Sequence, residues 1–242
     1  MRVKGLIQAV AKNLVSLIAI LYTLLKPITL YGHKFKRVTI MCKLLLASSS
    51  AYRQAQLAAI GIQAKAVAPD IDETPLDDEA PANLARRLAE QKARKVAALY
   101  PDHLTIGSDQ VAVVTIDGVA HKLGKPGTPK KAREQLAMCA GKVVTFYTAV
   151  AVYKAQTQQM ASATETVDVH FLPLSDEAIA RYVDAEQPLD CAGSFKAEGR
   201  GALLFSRVTS RDPNTLIGLP VMLLRDLLAG FKVDLLALAT GV

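Results

Sequence analysis

At 242 residues with 51% hydrophobic side chains, the chain is long enough to bury one sizeable core or two lobes sharing a sheet, and it reads as a soluble globular protein. Its formal charge of +7 suggests a nucleic-acid partner until it is located: residues 1–40 hold seven Lys and Arg and no acid, leaving 22 basic against 22 acidic residues in the rest. The neutral body gives no electrostatic argument for binding nucleic acid, and Cys42, Cys139 and Cys191, without a CxxC pair, exclude a disulfide framework or structural zinc site and point to a reducing cytoplasm.

Residues 1–40 form a basic, partly apolar extension ahead of a body at 41–242. The apolar run at 14–25, broken by Ser16 and Thr23, spans about a dozen residues, short of the ~18 that a membrane span requires. A signal peptide fits imperfectly, because no small-residue cleavage pattern lies between Lys26 and Arg37. An interfacial helix or short anchor is an alternative reading. The preferred reading is a start placed too far upstream, since Met41 immediately precedes the first strand of the body.

From there, short strands alternate with helical patterns, the mark of an α/β chain. Residues 44–47 read as a central strand ending in Ser48-Ser49-Ser50, 52–60 as a helix closed by Gly61, and 64–68 as a strand stopped by Pro69. The acidic loop Asp70-Ile71-Asp72-Glu73-Thr74 leads to a long helix over 81–100. Strand segments at 105–106 and 111–114 flank Gly107-Ser108-Asp109-Gln110, read as a turn, and Asp117-Gly118 signals a hairpin. Thr128, with Pro129 behind it, starts a helix that runs to about Cys139 and stops at Gly141. Residues 143–153 and 164–171 alternate like paired strands, and Ser175 opens another helix. The stretch 188–220 is rich in Gly, Asp and Asn and reads as functional loops around a strand at 202–205, before a last helix from Pro220 to about Leu228.

Five features carry chemistry. The serine junction with Arg53 places backbone N–H groups, hydroxyls and a guanidinium at a helix start, an arrangement suited to phosphate. On the long helix, Leu84, Ala85, Leu88, Ala89, Val96 and Leu99 share one face at about 100° per residue, and Lys92 lies in its middle. That lysine either snorkels to solvent or pairs with a carboxylate for structural reasons, or it serves the site, a reading that the nearby phosphate loop strengthens. Asp70, Asp72, Glu73 and Asp109 follow strands, where two or three carboxylates can hold a hard cation. Ordinary turn chemistry competes for Asp70 and Asp72, less so for Asp109 between apolar segments. Gly124-Lys125-Pro126 presents one more lysine, and the loops at 192–199 and 211–220 combine aromatic, amide and carboxylate groups able to stack on a base and read its edge. Walker, GxGxxG, HExxH and GxSxG motifs are all missing, which disfavours P-loop, dinucleotide, zincin and serine-hydrolase chemistry.

Taken in order, LASSSAYRQ, DIDET, EQKA, GSDQV, LGKP, AGSFKAEG and RDPNTLIGLP resemble the Maf-like nucleotide pyrophosphatases, specifically the branch acting on 7-methyl-GTP, over residues 41 to about 236. The resemblance implies an α/β fold like that of the inosine triphosphate pyrophosphatases: an elongated mixed sheet, flanking helices, a cleft between two lobes, and usually a homodimer. It implies hydrolysis of a nucleoside triphosphate between its α and β phosphates, with Mg²⁺ or Mn²⁺, as a house-cleaning activity against modified nucleotides. Asp109 matches the catalytic acid/base, and Ser48, Arg53, Glu73, Lys92 and Lys125 match phosphate- and metal-handling positions, with Glu73 and Asp109 as the metal pair. Tyr52, Gln110 and Glu198 match positions tied to substrate choice. The dTTP/UTP branch usually has threonine after the catalytic Asp and glutamine in place of Glu198, so this chain sides with methylated guanine.

Two residues depart from the family pattern. Ala51 stands where proline is common and should be nearly harmless. Gln54 replaces a second arginine and removes one permanent cation. The rival readings are a nucleotide-binding regulator of cell division without turnover, and a hydrolase tethered through residues 1–40. For the enzyme, basic side chains from distant segments must gather opposite Glu73 and Asp109.

Overall fold

The computed structural model describes residues 43–241, so the extension at 1–40, its candidate anchor and the boundary at 41 lie outside the described residues. Among the described residues no helix is long and apolar enough to cross a membrane.

The described residues open with a βαβ unit. Strand β1 (Leu44–Ala47) is buried throughout, α1 (Ala51–Ala59) follows the three serines, and β2 (Lys65–Val67) returns parallel to β1. Helix α2 (Pro81–Ala97) then crosses to β3 (Leu104–Ile116), which also runs parallel to β1. The remaining strands, β4 (Val119–Leu123), β5 (Val143–Lys154), β6 (Gln159–Phe171) and β7 (Phe205–Ser210), pair antiparallel. The result is a seven-stranded mixed sheet in the order β2-β1-β3-β5-β6-β7, with β4 also paired to β3. Helices α3 (Pro129–Cys139), α4 (Asp176–Glu186), α5 (Val221–Ala229) and α6 (Leu235–Thr240) complete the flanking layers. This is the mixed α/β architecture the sequence predicts.

Local chemistry explains the element ends. Ser50, Thr128, Ser175 and Asp234 each accept a hydrogen bond from the first turn of the helix they precede. Asp117 and Gly118, at φ of 50° and 80°, take the paired positive values of a two-residue hairpin turn between β3 and β4.

Strand β3 organises the molecule. Its residues 104–107 pair with β1 and its residues 112–116 with β4, while β5 runs along its opposite edge from Leu104 to Val114. Residues 108–111 are therefore paired on one side only, in a notch between two strands. Side chains alternate across the sheet. Leu104 and Ile106 join a core with α5 and α6, Ala112 and Val114 join a second core with α3 and α4, and Val111 and Val113 face α2.

Gly107 lets α2 approach closely. A Cβ there would fall 2.1 Å from the Ala89 carbonyl oxygen and 2.9 Å from the Ala93 nitrogen. Gly107→Ala is expected to destabilise the protein by about 3 kcal/mol, seen as a lower melting temperature in thermal unfolding, because both obstacles are backbone and cannot rotate aside.

Four sequence expectations change. The segment 107–110 is no turn but the middle of β3, since Ser108 and Gln110 direct their polar groups to a distant loop instead of their own backbone. Helix α2 ends at Ala97, and Leu99 is 68% exposed instead of lying in the core. Residues 200–204 form a 3-10 turn with Leu203 exposed, and the strand begins at Phe205; as the edge strand β7 it faces solvent and lacks the apolar alternation that marks buried strands. Helix α6, absent from the sequence reading, is capped by Asp234 and packs on the α5 core through Leu235.

Candidate active site

The three serines after β1 divide the work of building the junction. The buried Ser48 hydroxyl accepts from the Ser50 N–H at 3.1 Å and from Arg53 Nη1 at 3.3 Å. Ser50 caps α1 through the Arg53 N–H, and Ser49 lies exposed on the cleft wall. Arg53 Nε donates to the Gly218 carbonyl at 2.9 Å, so the guanidinium is tied to two segments far apart in sequence. Its enclosure by protein lowers its pKa, with Asp109 and Glu73 opposing the fall. Gln54 is exposed and lies outside the cleft wall.

Lys92 stands at the centre. It lies on the buried face of α2, one turn beyond Ala89, so the tight α2–β3 contact at Gly107 brings its ammonium against Asp109, two residues along the same face of β3. Nζ donates to Asp109 Oδ1 at 2.6 Å and sits 2.6 Å from Glu73 Oε1. Lys92 and Asp109 are buried, whereas the Glu73 side chain is 58% exposed on the loop before α2. Burial pushes the Asp109 carboxyl above its ordinary pKa, against the pull of Lys92 and Arg53 and with help from Glu73. Arg87 steadies that loop by gripping Glu79 with two nitrogens and donating to the Thr74 carbonyl. Asp72 is turned to local use, accepting from the Thr74 N–H and hydroxyl at 2.9 and 2.6 Å, and Asp70 lines the cleft at a positive φ of 40°.

A cleft of about 910 Å³ opens at the notch in the sheet. The nine residues that the family resemblance marks all line it, Ser48, Tyr52, Arg53, Glu73, Lys92, Asp109, Gln110, Lys125 and Glu198, whereas Asp72 does not. Lys125 is exposed just beyond β4. Lys122, on β4, adds a cation that sequence reasoning missed, because a lone lysine on an exposed strand carries no signal.

The other end of the cleft has different chemistry. Cys191 Sγ lies 3.6 Å from the Tyr52 hydroxyl and 3.5 Å from Asp190 Oδ1. Burial raises the Tyr52 pKa, reinforced by Cys191, Asp190 and Glu198, so the ring stays a neutral phenol. Burial likewise pushes the Cys191 thiol up to about 11, and the Cys139 thiol up to about 12. Glu198 is exposed on the cleft wall and makes no hydrogen bond or ion pair among the described residues. Its neighbour Lys196 is turned away, bonded to the Glu186 carbonyl and carboxylate. Phe195 is not free to stack on a ligand: it is buried edge-on against Phe146, Phe171 and Phe205.

Among the described residues, no group of three His, Cys, Asp and Glu side chains is placed to hold a metal. Glu73 and Asp109 nonetheless converge on a single cation, Lys92. Such a donor set fits a hard divalent ion that keeps most of its waters and arrives with a phosphate ligand.

Serines, cations and a buried carboxylate from distant segments thus line one cleft in a mixed α/β sheet. The family model of the Maf-like proteins matches residues 43–231, and the chain belongs to that family. Members of this family are generally nucleotide pyrophosphatases, which places the chain among the hydrolases of nucleotide metabolism.

Proposed function

We propose that this protein hydrolyses 7-methyl-GTP to 7-methyl-GMP and pyrophosphate. The observation that carries the reaction is the double ion pair of Lys92 with Glu73 and Asp109, in a cleft that Arg53 and Lys125 also line. Arg53, Lys92 and Lys125 neutralise the triphosphate, and Ser48 supports Arg53 from beneath. Asp109, made more basic by burial, takes a proton from the attacking water as its oxygen bonds to phosphorus. The bridge between the α and β phosphates then opens, and pyrophosphate leaves. Glu73 and Asp109 are the residues that would hold Mg²⁺ or Mn²⁺, whose chemistry when bound is to polarise the phosphoryl oxygens.

Base choice rests on the far end of the cleft. The neutral Tyr52 ring offers a stacking surface, and the unengaged Glu198 carboxylate can accept from a guanine N1–H and exocyclic amine. Pyrophosphate release measured with 7-methyl-GTP, GTP, UTP and dTTP in the presence of Mn²⁺ is expected to give the highest kcat/KM for 7-methyl-GTP. Glu198→Gln should cut the preference for 7-methyl-GTP over UTP by roughly 10- to 100-fold, as expected when a hydrogen-bonding partner of the base is altered. An unchanged ratio removes Glu198 from recognition. UTP or dTTP in the lead assigns the other branch, and binding without release makes the protein a regulator instead of an enzyme.

The resemblance also supports a homodimer. The free thiols at Cys139 and Cys191 support a reducing compartment, the cytoplasm.

A further inference from the structure

Asp109 faces Lys92 and α2, so its neighbours Ser108 and Gln110 project from the opposite face of β3. Both reach the loop 212–220, and both engage its backbone. The fully buried Ser108 hydroxyl donates to the Gly218 carbonyl at 2.9 Å. Gln110 Nε2 lies 2.8 Å from Thr148 Oγ1, 3.1 Å from the Thr215 carbonyl and 3.3 Å from the Leu216 carbonyl. Thr148, its partner across the sheet, donates to the same Thr215 carbonyl at 3.2 Å, and Gln56 on α1 donates to the Asn214 carbonyl at 2.8 Å. The loop's own buried anchor, Asp212, accepts from Asn214 and from the Met222 N–H.

The Gly218 carbonyl that receives Ser108 is also the one that receives Arg53 Nε, at the same 2.9 Å. Gly218 has φ of +121°, a conformation that L side chains rarely adopt, and a Cβ there would lie 3.4 Å from Arg53 Nε. A guanidinium is a rigid fork on a flexible stem. Fixing Nε on Gly218 and Nη1 on Ser48 sets the plane of the fork and leaves its remaining N–H groups for a ligand.

We propose that Ser108 and Gln110 are positioning residues, which hold the loop 212–220 so that its Gly218 carbonyl aims Arg53 at the phosphate chain of any nucleotide. Gln110 then affects turnover without reading the base, because its amide hydrogens already have acceptors inside the protein. The inference rests on the proposed phosphate role of Arg53, and it assigns position 110 differently from the resemblance.

The test uses the full chain and inorganic tripolyphosphate, a ligand with no base, titrated calorimetrically. Ser108→Ala removes one hydroxyl and is expected to weaken tripolyphosphate binding about tenfold. In an Arg53→Met background the same change should alter binding less than about twofold, since the route through Arg53 is gone. Gln110→Met should raise KM for 7-methyl-GTP and UTP in equal proportion. The inference is overturned by an equal loss from Ser108→Ala in both backgrounds, by no loss in either, by a wild-type chain that fails to bind tripolyphosphate, or by a 7-methyl-GTP to UTP ratio that moves with Gln110→Met. If the wild-type chain turns over no nucleotide, the proposed reaction fails, while the titrations still decide the positioning role. Melting temperatures of both variants separate loss of fold from loss of aim, and Ser108→Ala carries the test if Gln110→Met does not fold.

Discussion

Asp109→Asn is expected to abolish pyrophosphate release, lowering kcat by about 10³-fold or more while the protein stays folded. The substitution keeps the volume of a side chain that is buried between β3 and α2, and Lys92 retains Glu73 at 2.6 Å. Linkage points the same way. The folded carboxyl titrates above its unfolded value, so the contribution of Asp109 to stability is greatest below the unfolded pKa and is lost as pH rises through the folded one. An amide never ionises and escapes that loss. The melting temperature at neutral pH should therefore stay within about 4 °C of wild type. Thermal unfolding with a pyrophosphate-coupled assay checks both halves, and wild-type turnover by the variant removes Asp109 from the chemistry.

Lys92→Gln should have the second-largest effect, a loss of about 10²-fold in kcat/KM with a displaced pH profile. Lys92 lowers the Asp109 pKa both as a nearby charge and as a hydrogen-bond donor, in opposition to burial. With that charge gone, burial acts with less restraint and the Asp109 pKa rises further. A general base is idle while protonated, so the acid limb of kcat/KM should move to higher pH. Glutamine still donates a hydrogen bond, so the displacement isolates charge from contact. A limb that stays in place, measured from acid to neutral pH, would show that another group titrates there.

The sequence makes the cleft legible wherever a polar residue breaks a local apolar pattern. Lys92 interrupts an apolar helical face, and Asp109 interrupts an apolar strand; both breaks coincide with buried, paired charges. Helices α1, α3 and α4 could be placed because Ser50, Thr128 and Ser175 write their caps into the sequence. The stretch around Asp109 misled for a physical reason. Gly-Ser-Asp is turn-forming when its polar groups bond locally, but here Ser108 and Gln110 bond to carbonyls more than a hundred residues away. Those contacts run from side chain to backbone, so their acceptors carry no residue identity. Phe195 shows the converse: its Gly-rich loop suggested a free ring, and packing against three other phenylalanines took the ring into the core.

The uninterrupted ladder between β3 and β5 constrains how the protein can move. It runs from Leu104 opposite Lys154 to Val114 opposite Val144, past the notch and through both apolar cores. A hinge at Asp109 would have to break that ladder, at the cost of buried backbone hydrogen bonds. The carboxylate of Asp109 therefore sits on a stiff beam, while the side chains of Glu73, Lys122 and Lys125 lie exposed on the cleft wall. If Asp109 is the base proposed above, such a layout holds it in register before any nucleotide arrives.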